Sequence, residues 1–131
     1  MSLFDLCFNF TSSTFRPDET AVLDRARAAG VDHFLVTGSD QDDSRLALEL
    51  AERYQHGMYA TVGVHPHLAK NWQHDTQDNL RQLAQSTRVK AIGEAGLDYH
   101  RNLSTPEQQQ HALRQQIELA IELQRPLFLH E

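Results

Sequence analysis

The chain reads as an α/β protein built on a parallel sheet, and three observations point there. Short, mostly apolar runs recur at about 30-residue spacing, each followed by an amphipathic segment, as successive βαβ units require. The runs are too short for helices and are bounded by Gly, Pro and polar clusters, so they read as strands. Histidines and carboxylates stand where the runs end, which is where ligands gather in parallel α/β folds. The pattern is βαβαβαβαβ, five strands and four helices. That count suits an open doubly wound sheet and equally the first half of a (β/α)8 barrel.

Composition narrows the class. The 131 residues suffice for one domain with a real core, and 40% hydrophobic with 23% charged residues is ordinary for a globular chain. No apolar run approaches a membrane span, and no basic segment precedes the N-terminal apolar stretch, so neither membrane nor secretory signal is expected. The single cysteine, Cys7, excludes an internal disulfide and fits a reducing, cytoplasmic setting. A net charge of −6 argues against a simple basic nucleic-acid patch. It leaves room for a nucleic-acid enzyme whose bound cations supply the positive charge. Eight histidines are enough to ask whether some converge.

The first strand is expected over residues 3–10, inside the sheet, with Cys7 as a small buried apolar group. Pro17 suits the first turn of a helix whose stripe is Ala21, Val22, Ala26 and Ala29, with Gly30 as its C-terminal cap. The second strand covers residues 31–38, and Ser39 or Asp40 caps a helix through Leu46, Leu48, Leu50 and Ala51. The third strand, 58–64, ends in His65-Pro66-His67. A third helix over 76–85 turns Leu80, Leu83 and Ala84 inward, with Trp72 packed in its approach. The fourth strand begins at Val89 and runs into Gly93-Glu94-Ala95-Gly96-Leu97-Asp98. Thr105, Pro106 and Gln108 form a capping-box pattern that opens a long helix. Its buried face is expected to be Leu113, Ile117, Ala120, Ile121 and Leu123. Residues 127–130 are the fifth strand.

The strand ends therefore carry Asn9, Thr37, His65, His67, Glu94, Asp98 and His130 on one rim. Glu94 and His130 are residue types that ligate Zn²⁺, Mn²⁺ or Mg²⁺. Taken alone each has a plain structural reading, since an isolated loop histidine or aspartate is common. Their shared placement is what raises them to candidates.

Gly63-Val64-His65-Pro66-His67, Ile92 through Tyr99 with Arg101-Asn102, Thr105 through Gln109, and Pro126 through His130 together resemble the TatD family of metal-dependent deoxyribonucleases. The resemblance extends to Phe4-Asp5 and Thr11-Ser12-Ser13 and so spans the chain. It implies a TIM barrel of the amidohydrolase-like superfamily, of which this chain carries about the first five strands and four helices. It implies hydrolysis of DNA phosphodiesters, of the 3′–5′ exonuclease type associated with DNA repair, with a divalent metal, Mg²⁺ foremost and Mn²⁺ or Zn²⁺ as alternatives.

By residue, the resemblance implies that Glu94 and His130 bind metal and that Glu94 and His65 serve catalysis. His65, His67, Asp98 and Arg101 would bind substrate. Many family members carry His-x-His on the first strand, where this chain has Cys7 and Asn9, so that metal position is expected to be weaker or differently built. The resemblance makes residues 1–131 the N-terminal half of one barrel domain. Alternative expectations are an inactive half-barrel or self-associating fragment, and a metal-dependent hydrolase of another ester, amide or lactone.

Overall fold

A computed structural model describes the whole chain, Met1–Glu131. Five strands, β1 (Leu3–Phe8), β2 (Val31–Val36), β3 (Met58–Val62), β4 (Val89–Ala95) and β5 (Leu127–Leu129), form one sheet in the order β1-β2-β3-β4-β5. Every pairing is parallel. Helices α1 (Glu19–Ala28), α2 (Gln41–Tyr54), α3 (Thr76–Leu83) and α4 (Pro106–Leu123) form the crossovers. Consecutive parallel neighbours with a helix between each pair make half of a (β/α)8 barrel, not a doubly wound sheet, whose order would reverse at a switch point.

Two apolar clusters fill the space between sheet and helices. Phe8, Phe10, Phe34, Val36 and Met58 meet Leu23, Ala47 and Leu50 at one end. Val62, Val89 and Ile92 meet Leu80, Leu119 and Ala120 at the other. Side chains of the opposite sheet face meet one another instead, with the Phe4 ring 5.6 Å from His33 and 6.3 Å from Tyr59.

Four expectations need correction. The first strand is an edge of the sheet, paired only with β2, and Leu3, Phe4 and Leu6 are exposed. Cys7 is exposed for the same reason: it alternates with Phe8, which takes the side facing the helices. Pro17 lies inside a 3₁₀ segment (Ser13–Asp18) that precedes α1, and the buried residue of α1 is Leu23. Finally, α4 buries Gln109, Ala112, Gln116, Leu119 and Ala120, whereas Ile117 and Ile121 face solvent. Hydrogen bonding decides that rotation, because the two glutamines are saturated by backbone of the strand-end loops. Elsewhere the local signals hold. Thr105 and Gln108 close a capping box, Asp40 caps α2, and Gly30 follows α1 with φ +91°.

Candidate metal centre

The carboxyl ends of β2, β3, β4 and β5 are tied together by backbone hydrogen bonds beyond the regular ladder. Gly38 C=O accepts from Glu94 N–H at 3.0 Å, and Ser39 C=O accepts from His65 N–H at 2.8 Å. Ala95 C=O accepts from His130 N–H at 2.8 Å. Close backbone approach makes this possible. A side chain on Gly63 would collide with Gly93 on the next strand, and one on Gly93, at φ +141°, with the Phe128 carbonyl. Three strand ends thereby point Glu94, His65 and His130 at one another.

The geometry is tight. His130 Nδ1 lies 2.9 Å from Glu94 Oε1 and 3.2 Å from His65 Nε2, and His65 Nε2 lies 3.5 Å from the same carboxylate oxygen. Asp98 joins from the loop. Its Oδ2 lies 2.7 Å from His67 Nε2 and 3.1 Å from His130 Nε2, and its Oδ1 accepts from Arg101 N–H at 2.9 Å. The ligand nitrogens of His65, His67 and His130 all lie within 4.8 Å of one another, close enough to share one ion. Of the expected residues, His65, His67, Glu94, Asp98 and His130 converge. Asn9 and Thr37 line a polar trough against Glu94. Arg101 contributes its backbone to Asp98, while its side chain lines a separate recess beside His130.

Electrostatics match the crowding. Burial pulls the His65 pKa from 6.5 down to about 4, and the neighbouring His67 and His130 push the same way against Glu94, which opposes them. His65 is thus neutral at pH 7. The backbone N–H of Arg101, then the hydrogen bond from His67, hold the Asp98 carboxyl well below the usual carboxylate range.

The donor set fits a divalent cation. His65 Nδ1 accepts from His67 N–H, which leaves the imidazole proton on Nε2. With Glu94 as the carboxylate, no choice of tautomers for His65 and His130 satisfies all their contacts, because either two protons or two lone pairs meet. A cation at that convergence relieves the conflict by accepting the lone pairs. Glu94 Oε2 makes no hydrogen bond within the protein and remains available as a ligand.

Two supporting residues escaped sequence reasoning. Gln109 is 1% exposed; its Oε1 accepts from Asp98 N–H at 2.7 Å, and its Nε2 donates to the carbonyls of Asp98 (3.2 Å) and Ser104 (2.8 Å). Gln116 is fully buried and grips Val64, next to His65, by accepting from its N–H at 2.8 Å and donating to its C=O at 3.0 Å. The available signal was their seven-residue spacing on the face that carries Ala112, Leu119 and Ala120.

Residues 4–131 match the family described as TatD related DNase. The chain belongs to the TatD-related DNase family. A 3′-5′ ssDNA/RNA exonuclease TatD of Cronobacter sakazakii is 48% identical over 128 residues, covering 98% of this chain and 48% of that protein. The protein of the same description in Salmonella typhimurium is 46% identical over 98% of this chain and 49% of its own length. Among solved structures, a TatD homolog from Escherichia coli K12 superposes with TM-score 0.88 at 33% identity, covering 98% of this chain and 50% of that one. A hydrolase of the TatD family from Entamoeba histolytica superposes with TM-score 0.91 at 29% identity, over 100% of this chain and 50% of its own. The chain thus spans about half the length of the TatD relatives it matches. No helix is long and apolar enough to cross a membrane.

Proposed function

We propose that this TatD-family chain is the N-terminal half of a single barrel domain whose site hydrolyses phosphodiester bonds at 3′ ends of single-stranded DNA. The observation that carries the reading is the convergence of Glu94, His65 and His130 at one rim of a TatD-family half-barrel. The curated relatives' description as ssDNA/RNA exonucleases supports the polarity and the choice of single strands. The lone cysteine, which leaves no internal disulfide to form, supports a reducing, cytoplasmic setting.

Glu94 and His130, with His67 within reach, would hold the divalent metal, Mg²⁺ first and Mn²⁺ or Zn²⁺ next. When bound, such a cation neutralises and polarises the scissile phosphate. The chain's own residues do the rest. Neutral His65 can offer its Nε2–H to a nonbridging phosphate oxygen, a hydrogen bond without a competing charge. Asp98 fixes the orientation of the His67 and His130 rings through their Nε2 atoms, as outer carboxylates do for ligating histidines. Arg101 places a cation at the edge of the site, where phosphate contacts set affinity. The acidic net charge is compatible with such a substrate because the neutralising charge is local.

The test is calorimetric titration of the 131-residue chain with Mn²⁺ and Zn²⁺, alongside degradation of a 5′-labelled oligonucleotide. Wild-type binding that Glu94→Gln and His130→Ala each weaken about tenfold or more is expected, in the range of altered metal-ligand spheres. Equal affinity in wild type and both variants would sink the assignment.

A further inference from the structure

Two recesses of different lining flank the Glu94–His130 contact, which is 2.9 Å across. One is a trough of about 400 Å³ lined by Asn9, Thr11, Ser12, Thr37 and Ser39, with Asp43 and Glu94 as its charged members. It contains no apolar side chain and no cation. Asp43 Oδ2 accepts from both the backbone N–H (2.9 Å) and the hydroxyl (2.8 Å) of Ser39, so the Ser39 oxygen presents lone pairs to the trough. The side chains of Asn9 and Thr11 have no partner within the protein and can each donate and accept. The other recess, about 370 Å³, lies against His130 and carries Leu97, Tyr99, His100 and Arg101, together with Glu131 and with Asp98, whose carboxylate is taken up by His67, His130 and the Arg101 N–H. Its Tyr99 ring is 48% exposed while Gln110 Nε2 holds the hydroxyl at 2.8 Å. The Arg101 guanidinium forms no ion pair.

We propose that this asymmetry sets strand polarity: the cation-free trough beside Glu94 takes the 3′-terminal nucleoside, and the Tyr99–Arg101 recess takes the strand on the 5′ side. The inference rests on the phosphodiesterase reading above. Its logic is chemical. Beyond the scissile phosphate, a 3′-terminal nucleoside offers sugar hydroxyls and a base edge and no further phosphate. A hydroxyl- and amide-lined trough of nucleoside size matches it, and the trough lies in the lower part of the roughly 300–1,000 Å³ range of small-ligand sites. The strand leading 5′ brings phosphates and stacked bases, which an unpaired guanidinium and an exposed aromatic ring accommodate. With two carboxylates and no cation, the trough rejects a chain that continues past the terminal hydroxyl. A ribose 2′-hydroxyl meets the same donors and acceptors, so the trough tolerates either sugar.

The probe is a 5′-fluorescein pentathymidylate with phosphorothioate linkages, ending in a 3′-hydroxyl or a 3′-phosphate. Binding to the 131-residue chain is followed by fluorescence anisotropy with Mg²⁺ and with EDTA. The hydroxyl end is expected to bind about tenfold or more tighter than the phosphate end, because the added dianion faces Asp43 and Glu94. Ser39→Lys is expected to cut that preference to within about twofold by rescuing the phosphate end. Thr11→Lys, which leaves the Ser39–Asp43 contacts intact, serves the same purpose if the first variant folds poorly. Arg101→Ala is expected to weaken both ends equally. Equal affinity of wild type for the two ends, or a preference unchanged in both lysine variants, overturns the proposal. Failure to bind either probe overturns it together with the nucleic-acid reading. End discrimination without hydrolysis of the unmodified oligonucleotide counts against the nuclease reading alone.

Discussion

His65 shows how a single side chain is reshaped by its surroundings. Its imidazole is 14% exposed, and burial among two other histidines lowers its pKa from 6.5 to about 4. The unfolded chain therefore takes up a proton at this residue between those values when the folded chain does not. Stability falls as pH drops through that window and is unaffected by His65 above it. Asp98 adds a loss of stability in the same direction at lower pH. Its carboxyl is held below 3.8, so its contribution is present above that value and is lost in stronger acid. The His65 ring resonances should hold steady from pH 8 to pH 5.5 and titrate with a midpoint of about 4 in an NMR series. A midpoint near 6.5 would contradict the buried geometry. The glutamines argue at the same scale. Gln109→Leu keeps volume but strands the N–H and C=O of Asp98 and the C=O of Ser104, at a cost of about 2 kcal/mol or more in urea unfolding.

Helix α4 joins the site to the core. Its N-terminus is set by Thr105 and Gln108 and its rotation by two buried glutamines, which turns Leu119 and Ala120 onto the sheet and leaves Ile121 72% exposed. Leu119→Ala is expected to destabilise by about 2–5 kcal/mol, the range for emptying a buried leucine site. Ile121→Lys should change stability by no more than about 0.5 kcal/mol, as surface substitutions do. Comparable losses in the two variants by chemical denaturation would mean that the helix faces the other way. Reading apolar residues alone at helical spacing rotates α4 towards Ile117 and Ile121, because that rule counts burial by hydrophobicity and misses amides that bury themselves by saturating loop backbone.

At the scale of the molecule, the sheet has two open edges, β1 and β5, and Phe4, Leu6 and Leu129 are exposed on or beside them, at 47%, 58% and 59%. Unpaired parallel edges with apolar side chains favour self-association. The 131-residue chain should therefore elute from size exclusion with an apparent mass that rises with concentration, and Leu6→Lys with Phe4→Lys should lower it towards a single chain. A mass independent of concentration and unaltered by the pair would refute this.

The strand–helix alternation, the caps at Asp40 and Thr105, the turn at Gly30 and the placement of His65, Glu94 and His130 at strand ends were all legible in the sequence, because each depends on contacts between near neighbours in the chain. So was the family resemblance, which lies in local motifs. The sequence by itself determined the α/β class and which residues share the rim. Only the tertiary structure decided that β1 is an edge and Cys7 exposed, and that Gln109 and Gln116 turn α4. Only it brought Asp98 into contact with His67 and His130 and set a hydroxyl-lined trough without a cation and a recess holding Tyr99 and Arg101 on either side of Glu94–His130. Those facts rest on pairs such as Val64 with Gln116, 52 residues apart, whose meeting is imposed by strand order and register, and no local pattern encodes that.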